Sequence, residues 1–375
     1  GLSSQSYAET QDQKGRFVLA GYGDFKYETT DLSDTDAFTT RFVPIFLFSL
    51  NEKMHVEAEL EFSVNSEGET ETELEYADIH YFLNNNTILT AGKFLLPFGQ
   101  FSANWHPSWI NRGIWTPGIY GAHGSNQAME PLLPILSDVG IAAQQVYSIG
   151  GAKVFIDVFV TNGPRMELEE EGAVIDEDHL ELVRKFASVP NSVNEDEEEG
   201  HGGGFPEVEF EATSGDNNAN KAFGGRVAVA LLPTLEIGTS YYQGAYDESG
   251  ALDFVANGVD FNLLNEHFLL RGEYIKTKTD AFDDDSERPD IETFERDGWF
   301  VQGTVFIGHA LPMLGSTEIV IERSETNKFA EAKRWMFGIN YWLDPRSVIK
   351  VGYENTNVFD GEDDKRLAVQ FSYGF

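Results

Sequence analysis

Carboxylates at every second position are the most conspicuous chemistry in this sequence. In Val56-Glu57-Ala58-Glu59-Leu60-Glu61-Phe62 the acids alternate with apolar residues. At the twofold period of an extended strand, Glu57, Glu59 and Glu61 share one face, and Val56, Ala58, Leu60 and Phe62 share the other. A helix would scatter both sets around its circumference. A row of fixed negative charge can solvate a wall or, where it lines a passage, bias which ions pass. The same parity argument adds Asp78, Glu236, Asp260, Glu273, Glu318 and Glu322 to the charged face. It also places the basic residues Arg41, Arg226, Arg271, Arg334, Lys350 and Arg366 there.

No catalytic constellation emerges from these groups. Acid pairs are too frequent to mark glycosidase chemistry. The eight His residues are dispersed and form no HExxH pair, and neither a GxSxG elbow nor a phosphate-binding loop occurs. With no cysteine, disulfides and thiolate metal sites are excluded. Asp283-Asp284-Asp285 lacks the remainder of a calcium loop and reads as solvated acid. The expectation is a protein that is not an enzyme and has no metal and no cofactor. A formal net charge of -37 argues against nucleic acid as a partner, because phosphate contacts need a basic face.

Charges at alternate positions need strands to hold them. Sixteen candidate strands are legible, near 15–29, 36–50, 54–66, 71–83, 87–93, 137–148, 152–162, 221–232, 235–246, 254–264, 267–278, 296–308, 316–324, 333–343, 347–357 and 364–375. Their connections alternate between short and long. The short ones carry turn residues, as in Asn51-Glu52-Lys53, Asn84-Asn85-Asn86, Ile149-Gly150-Gly151, Pro233-Thr234 and Asp344-Pro345-Arg346, with His309–Gly315 a longer member of that side. The long ones are rich in Asp, Glu, Gly, Ser and Asn.

Short turns on one side and long loops on the other are the rhythm of a transmembrane barrel. No stretch reaches the roughly 20 apolar residues of a membrane-spanning helix. The negative mean hydropathy does not oppose a barrel, whose lipid-facing residues occupy only every second position. Trp335, Tyr341 and Trp342, Tyr241 and Tyr242, and Tyr373 fall near strand ends, as interfacial aromatic girdles would.

Closing the last strand onto the first has an electrostatic consequence. Arg334, Lys350 and Arg366 lie on the final three strands and Arg41 on the second, so they fall on one basic arc, with Lys26 nearer the rim. That arc meets Glu57, Glu59 and Glu61 at one boundary. The expectation is a basic arc facing an inward loop beneath an acidic vestibule, or a wall whose neighbouring charges neutralise each other.

Two insertions stand out. One, 94–137, holds Phe94, Phe98, Phe101, Trp105, Trp109, Trp115 and Tyr120 together with five prolines. So many rings need a place to be buried, and the lumen is one. The candidate constriction residues are Lys93, Phe94, Phe98, Trp105, His106, Trp109, Arg112 and Trp115. His106 and His123 could touch permeating solutes. The other, 163–220, contains Glu169-Glu170-Glu171, Glu195-Asp196-Glu197-Glu198-Glu199 and Gly202-Gly203-Gly204. Between the acidic runs, Asp176-Glu177-Asp178 before Leu180, Val183 and Phe186 predicts a short capped helix. This acidic loop is expected to stand outside the membrane.

Gly92-Lys93-Phe94-Leu95-Leu96-Pro97-Phe98-Gly99, following Leu74-Glu75-Tyr76-Ala77-Asp78-Ile79-His80-Tyr81, resembles the strand, turn, strand and loop opening of the phosphate-selective porin O and P family. Phe371, Tyr373 and Phe375 resemble the C-terminal signal read by the barrel-assembly machinery. The family resemblance implies sixteen strands, a third loop folded inward as a constriction, and a homotrimer. Phosphate selectivity does not carry over, because 26 Lys plus Arg stand against 63 Asp plus Glu.

The expected architecture is all-β: a 16-stranded antiparallel transmembrane β-barrel with an inward-folded third loop, residues 1–375 forming one unit. The expected setting is the outer membrane of a Gram-negative bacterium, among its lipids, in a mature form after removal of a leader. The resemblance points to passive diffusion of small hydrophilic solutes and ions through a constricted water-filled channel. A channel selective for an anion or short sugar, and a structural barrel sheathing a partner protein, are the other readings.

Overall fold

Alternation in the sequence becomes one closed sheet in the computed structural model, which describes residues 16–32, 36–64, 68–121, 128–166, 208–210, 212, 215, 218–232, 234–282, 291–307 and 316–375. The strands are β1 (Arg16–Thr30), β2 (Ala37–Asn51), β3 (Met54–Val64), β4 (Thr70–Asn84), β5 (Thr87–Leu95), β6 (Ser137–Ile149), β7 (Ala152–Thr161), β8 (Arg165–Met166) and β9 (Val208–Glu209). They continue with β10 (Ala222–Leu232), β11 (Leu235–Ala245), β12 (Asp253–Leu264), β13 (Phe268–Phe282), β14 (Ile291–Ile307), β15 (Ser316–Asn327), β16 (Ala332–Asp344), β17 (Ser347–Val358) and β18 (Asp364–Gly374). All but β8 and β9 join one closed barrel, each strand antiparallel to its neighbours and β1 sealed against β18. The sixteen strands read from the sequence are those sixteen. The two-residue pair β8–β9, at the roots of the second insertion, was not foreseen.

Asn and Asp side chains close the tight turns. Asn51, Asn84 and Asp344 each accept, through Oδ1, the backbone N–H two residues on, at 2.8 Å. One irregularity matters for the interior. At a bulge, Glu59 and Leu60 of β3 oppose Tyr76 and Leu74 of β4, leaving Glu75 as the extra residue.

The barrel is inside-out relative to a soluble domain. Along β16, Trp335, Phe337, Ile339 and Tyr341 are exposed, whereas Arg334, Met336, Asn340 and Trp342 are buried. On β18, Leu367, Val369 and Phe371 are exposed while Arg366, Gln370 and Ser372 are buried. Apolar side chains facing out and polar ones enclosed suit a surrounding hydrocarbon phase. Closure leaves no free edge among the described barrel strands, and lipid could not have satisfied one. The apolar core lies inside the barrel, where Phe98, Phe101, Ile119, Tyr120 and Leu133 pack against Tyr242, Phe254, Ile275 and Phe300 of the wall.

Two girdle assignments need correction. Trp342 and Tyr242 face inward and are almost fully buried, because in each adjacent aromatic pair parity sends only one ring outward, Tyr341 and Tyr241. The predicted helix near 176–186, the acidic runs at 169–171 and 195–199, Gly202–Gly204, Asp283–Asp285, His123, Pro233 and the turn at 309–315 lie outside the described residues.

Candidate functional site

The site is built from the inner barrel face and the segment between β5 and β6. Strand β5 continues to Leu95 and β6 begins at Ser137, so the connection is 96–136 rather than 94–137. This corrects two residues placed in the loop. Phe94 belongs to β5 as its buried penultimate residue, although its side chain does pack inside the barrel and line the cavity there. Lys93, on β5, pairs with Ala77 of β4, and its Nζ donates to the carbonyl of Leu74 at 2.5 Å. Its parity is that of Leu89, an exposed residue, so it does not face the lumen.

From Leu96 onward the segment leaves the sheet and lies against inward side chains of the far wall. Glu273 on β13 anchors its start. One carboxylate oxygen accepts the backbone N–H groups of Gln100 and Phe101, at 2.7 and 2.6 Å, and the other accepts the Tyr120 hydroxyl at 2.5 Å. A single π-helical turn follows, Phe101–Trp105, closed by the His106 N–H donating to the Phe101 carbonyl. His106 Nδ1 lies 2.7 Å from the Ser102 carbonyl, so it donates there as the N–H of a neutral ring. Burial lowers the His106 pKa to about 4. Burial, together with Glu273, pushes the Tyr120 hydroxyl well above its ordinary range.

Next come the basic residues. Lys350 Nζ donates to three carbonyls of the segment: Ser108 at 2.5 Å, Asn111 at 2.6 Å and Gly113 at 3.1 Å. The Arg271 guanidinium lies over the Trp105 ring and donates to Asn111 and Gln302. Arg366 stacks on Trp115, whose indole N–H donates to Glu28 of β1. Arg112 of the segment meets Glu318 at 3.2 Å and lies over Trp342. Arg334 sits between Glu322, at 3.4 Å, and Glu354, at 2.8 Å. Bare wall accepts the rings: a Cβ on Gly352 would stand 3.0 Å from Ile114 and 3.2 Å from Trp115. Trp109 lies over Gly374 in the same way.

The predicted basic arc therefore exists as a set of neighbours but does not line open space. Arg271, Arg334, Lys350 and Arg366 all point inward and are at most 2% exposed. Parity told which face they occupy; it could not tell that the segment covers that face. Arg41 remains partly open and bonds Asp24 at 2.8 Å and Glu61 at 3.4 Å, so the predicted meeting of opposite charges occurs there. Arg226 is held by Asp260 at 2.5 Å and Glu236 at 2.9 Å.

Opposite the segment, part of the interior stays empty. A cavity of about 400 Å³ lies between the segment's Pro97, Ala103 and Asn104 and the inner faces of β3 to β7. The wall supplies Glu57, Tyr76, Asp78, His80, Thr90, Gln144 and Asp157. Glu57 and Asp78 were singled out in the sequence. Glu59 and Glu61 share their face but are not part of this cavity; Glu59 is buried and accepts the Tyr22 hydroxyl at 3.0 Å. Tyr76, His80, Gln144 and Asp157 were missed. For Asp157 the signal was present, as one acid inside the apolar run Val154–Val160. His80 Nε2 stands 3.0 Å from Asp78 Oδ1 and 4.0 Å from Glu57. Gln144 donates to Asp157 at 2.7 Å. Among the described residues no cluster of His and acid could hold a metal ion.

At the C-terminal edge, Phe371, Tyr373 and Phe375 follow one another along the outer side of β18, their rings 6.0 and 6.3 Å apart. Phe375 also stacks on Phe42 of β2 at 5.5 Å.

Residues 13–107 match the model of the family described as phosphate-selective porin O and P. No curated protein matches the sequence. The fold is similar to that of an anion-selective porin from Comamonas acidovorans, 12% identical, covering 96% of this chain and 100% of that one with a TM-score of 0.57. It is also similar to OmpF of Salmonella typhi solved in complex with daunomycin, 12% identical, covering 96% and 97% with a TM-score of 0.56. A trimer form of OmpT, an outer membrane protein of Vibrio cholerae, is 9% identical and covers 96% and 99% with a TM-score of 0.50. At such identities the likenesses concern the fold.

Proposed function

We propose that this chain is an outer-membrane porin through which small hydrophilic solutes and ions diffuse passively. The observation that carries this reading is the inverted barrel with a partly filled interior. Apolar side chains cover the outside, charged ones the inside, and a cavity of about 400 Å³ remains beside the inserted segment. The match over residues 13–107 to a porin family agrees with it.

In this reading segment 96–136 is the constriction. It narrows the lumen from one side and leaves the lane along β3 to β7 as the passage. The connection between β7 and β10 leaves the barrel at the same end as the other long connections. Three barrels associate as a homotrimer, by likeness to the trimer form of OmpT. Phe371, Tyr373 and Phe375 serve as the signal for assembly into the membrane. The chain acts without catalysis, as a passage. A barrel that sheathes a partner protein would need a clear lumen, and the buried contacts of Phe98, Phe101 and Trp115 occupy that space.

Purified protein added to a planar lipid bilayer is expected to give stepwise conductance increases. Liposomes carrying it are expected to swell in small sugars and not in large ones. A protein that inserts but passes no ions refutes the proposal.

A further inference from the structure

We propose that the open lane conducts cations in preference to anions, with Glu57, Asp78 and Asp157 as the selecting charges. This rests on the porin reading and adds the class of ion to it.

The lane carries three carboxylates and, among its described lining residues, no Lys or Arg. Its one weak base, His80, sits between Asp78 and Glu57, and its other nitrogen faces Thr90 at 2.9 Å. Asp78 is more than nine-tenths buried at the lane wall, and its Oδ1 lies beside His80 without accepting an aligned hydrogen bond. Glu57 keeps about a third of its side chain open. Glu57 and Asp157 are partly open to the lane, and Asp78 adds its charge from within the wall.

The opposing charges are withheld. The basic residues that would make an anion path are spent on the inserted segment and on buried acids. Lys350 is capped by three carbonyls, and Arg334 and Arg366 share Glu354. Arg41, the most open of them, sits against Asp24 and Glu61. A charged wall with low-dielectric surroundings concentrates counter-ions and repels co-ions. Here that wall is negative, and the separation of roles comes from which half the segment covers.

The test is the reversal potential of the wild-type pore in a planar bilayer under a potassium chloride gradient. The expected sign is that of potassium passing more readily than chloride. The preference should shrink several-fold from 0.1 M salt, where the screening length is about 10 Å, to 1 M, where it is about 3 Å. In a Glu57→Gln, Asp78→Asn, Asp157→Asn variant the reversal potential should move toward zero. A zero or chloride-directed potential in the wild type overturns the inference while leaving the pore intact. So does a preference indifferent to salt, or an unchanged potential in a variant shown to insert. A variant that fails to insert leaves the wild-type sign and salt series to decide. Absence of conductance removes the porin reading, and the inference with it.

Discussion

The two halves of the inner wall begin from the same sequence pattern and end with different roles. On β12 to β18 and β1, inward charges lie under segment 96–136 and are matched by its carbonyls, rings and one arginine. On β3 to β7, Glu57, Asp78 and Asp157 line a cavity. Alternation alone makes both halves polar. What separates them is cover, because a charge locked among fixed partners positions the chain, whereas a charge facing water acts on solutes. Position on the lumen face is therefore insufficient to name a pore residue.

Four changes would break or sharpen this contrast. The largest effect is expected for Lys350→Met, which strands three buried carbonyls. Docking of the segment should weaken by about 3–5 kcal/mol. Single-channel records should then show a larger, noisier conductance as the covered half opens. Unaltered conductance steps would show that the ammonium does not seat the segment. Ile339→Arg, near the middle of β16 on the exposed face, should cost about 2–4 kcal/mol in urea unfolding from vesicles if that face meets lipid. A free surface substitution there would contradict the lipid assignment. Trp115→Phe leaves a smaller aromatic ring beneath Arg366 and removes the N–H donated to Glu28, a loss of about 1.5–3 kcal/mol from that hydrogen bond read as a lower thermal midpoint.

The smallest effect concerns His106. Its folded pKa of about 4 lies below the ordinary value of about 6.5, so the unfolded chain binds the proton first as pH falls. The stability contributed by the neutral ring is intact above about pH 6.5 and declines toward pH 4. Between pH 8 and pH 5.5 the wild type should lose about 1 kcal/mol more than His106→Gln does, measured as the change in their midpoint difference over that range.

The barrel was legible because its signals are local. Period-two runs such as Val56–Phe62 and turn residues such as Asn51 and Asn84 fix strand and turn without reference to distant contacts. The inward face of Arg334, Lys350 and Arg366 was legible for the same reason. Their burial was not, since it depends on carbonyls and rings more than two hundred positions away, as in the Lys350–Ser108 and Arg366–Trp115 contacts. The Glu28–Trp115 pairing is likewise written nowhere in local pattern. Lys93 was misplaced because Gly92–Gly99 read as a loop entry, although Lys93 is paired within the strand and shares the outward parity of Leu89. Asp157 could have been found, as an acid that an apolar strand would carry only on its watered side.

The seam between β1 and β18 carries a further consequence. Thr30 bonds Asp364 across it, 334 positions apart in sequence, and Gly21 exchanges backbone hydrogen bonds with Phe375 at 3.1 and 2.9 Å. Neighbouring hairpins can zip early, since each closes only a short loop. The sealing contact must wait for both distant segments, and it is the slowest kind of contact to form in a folding chain. Until then β1 and β18 each present an unsatisfied edge, open to pairing with any other strand within reach. The final residues of this barrel therefore govern its kinetics of maturation more than their few hydrogen bonds would suggest. Shortening β18 by two residues should lengthen the life of the aggregation-prone open sheet before it alters the finished one.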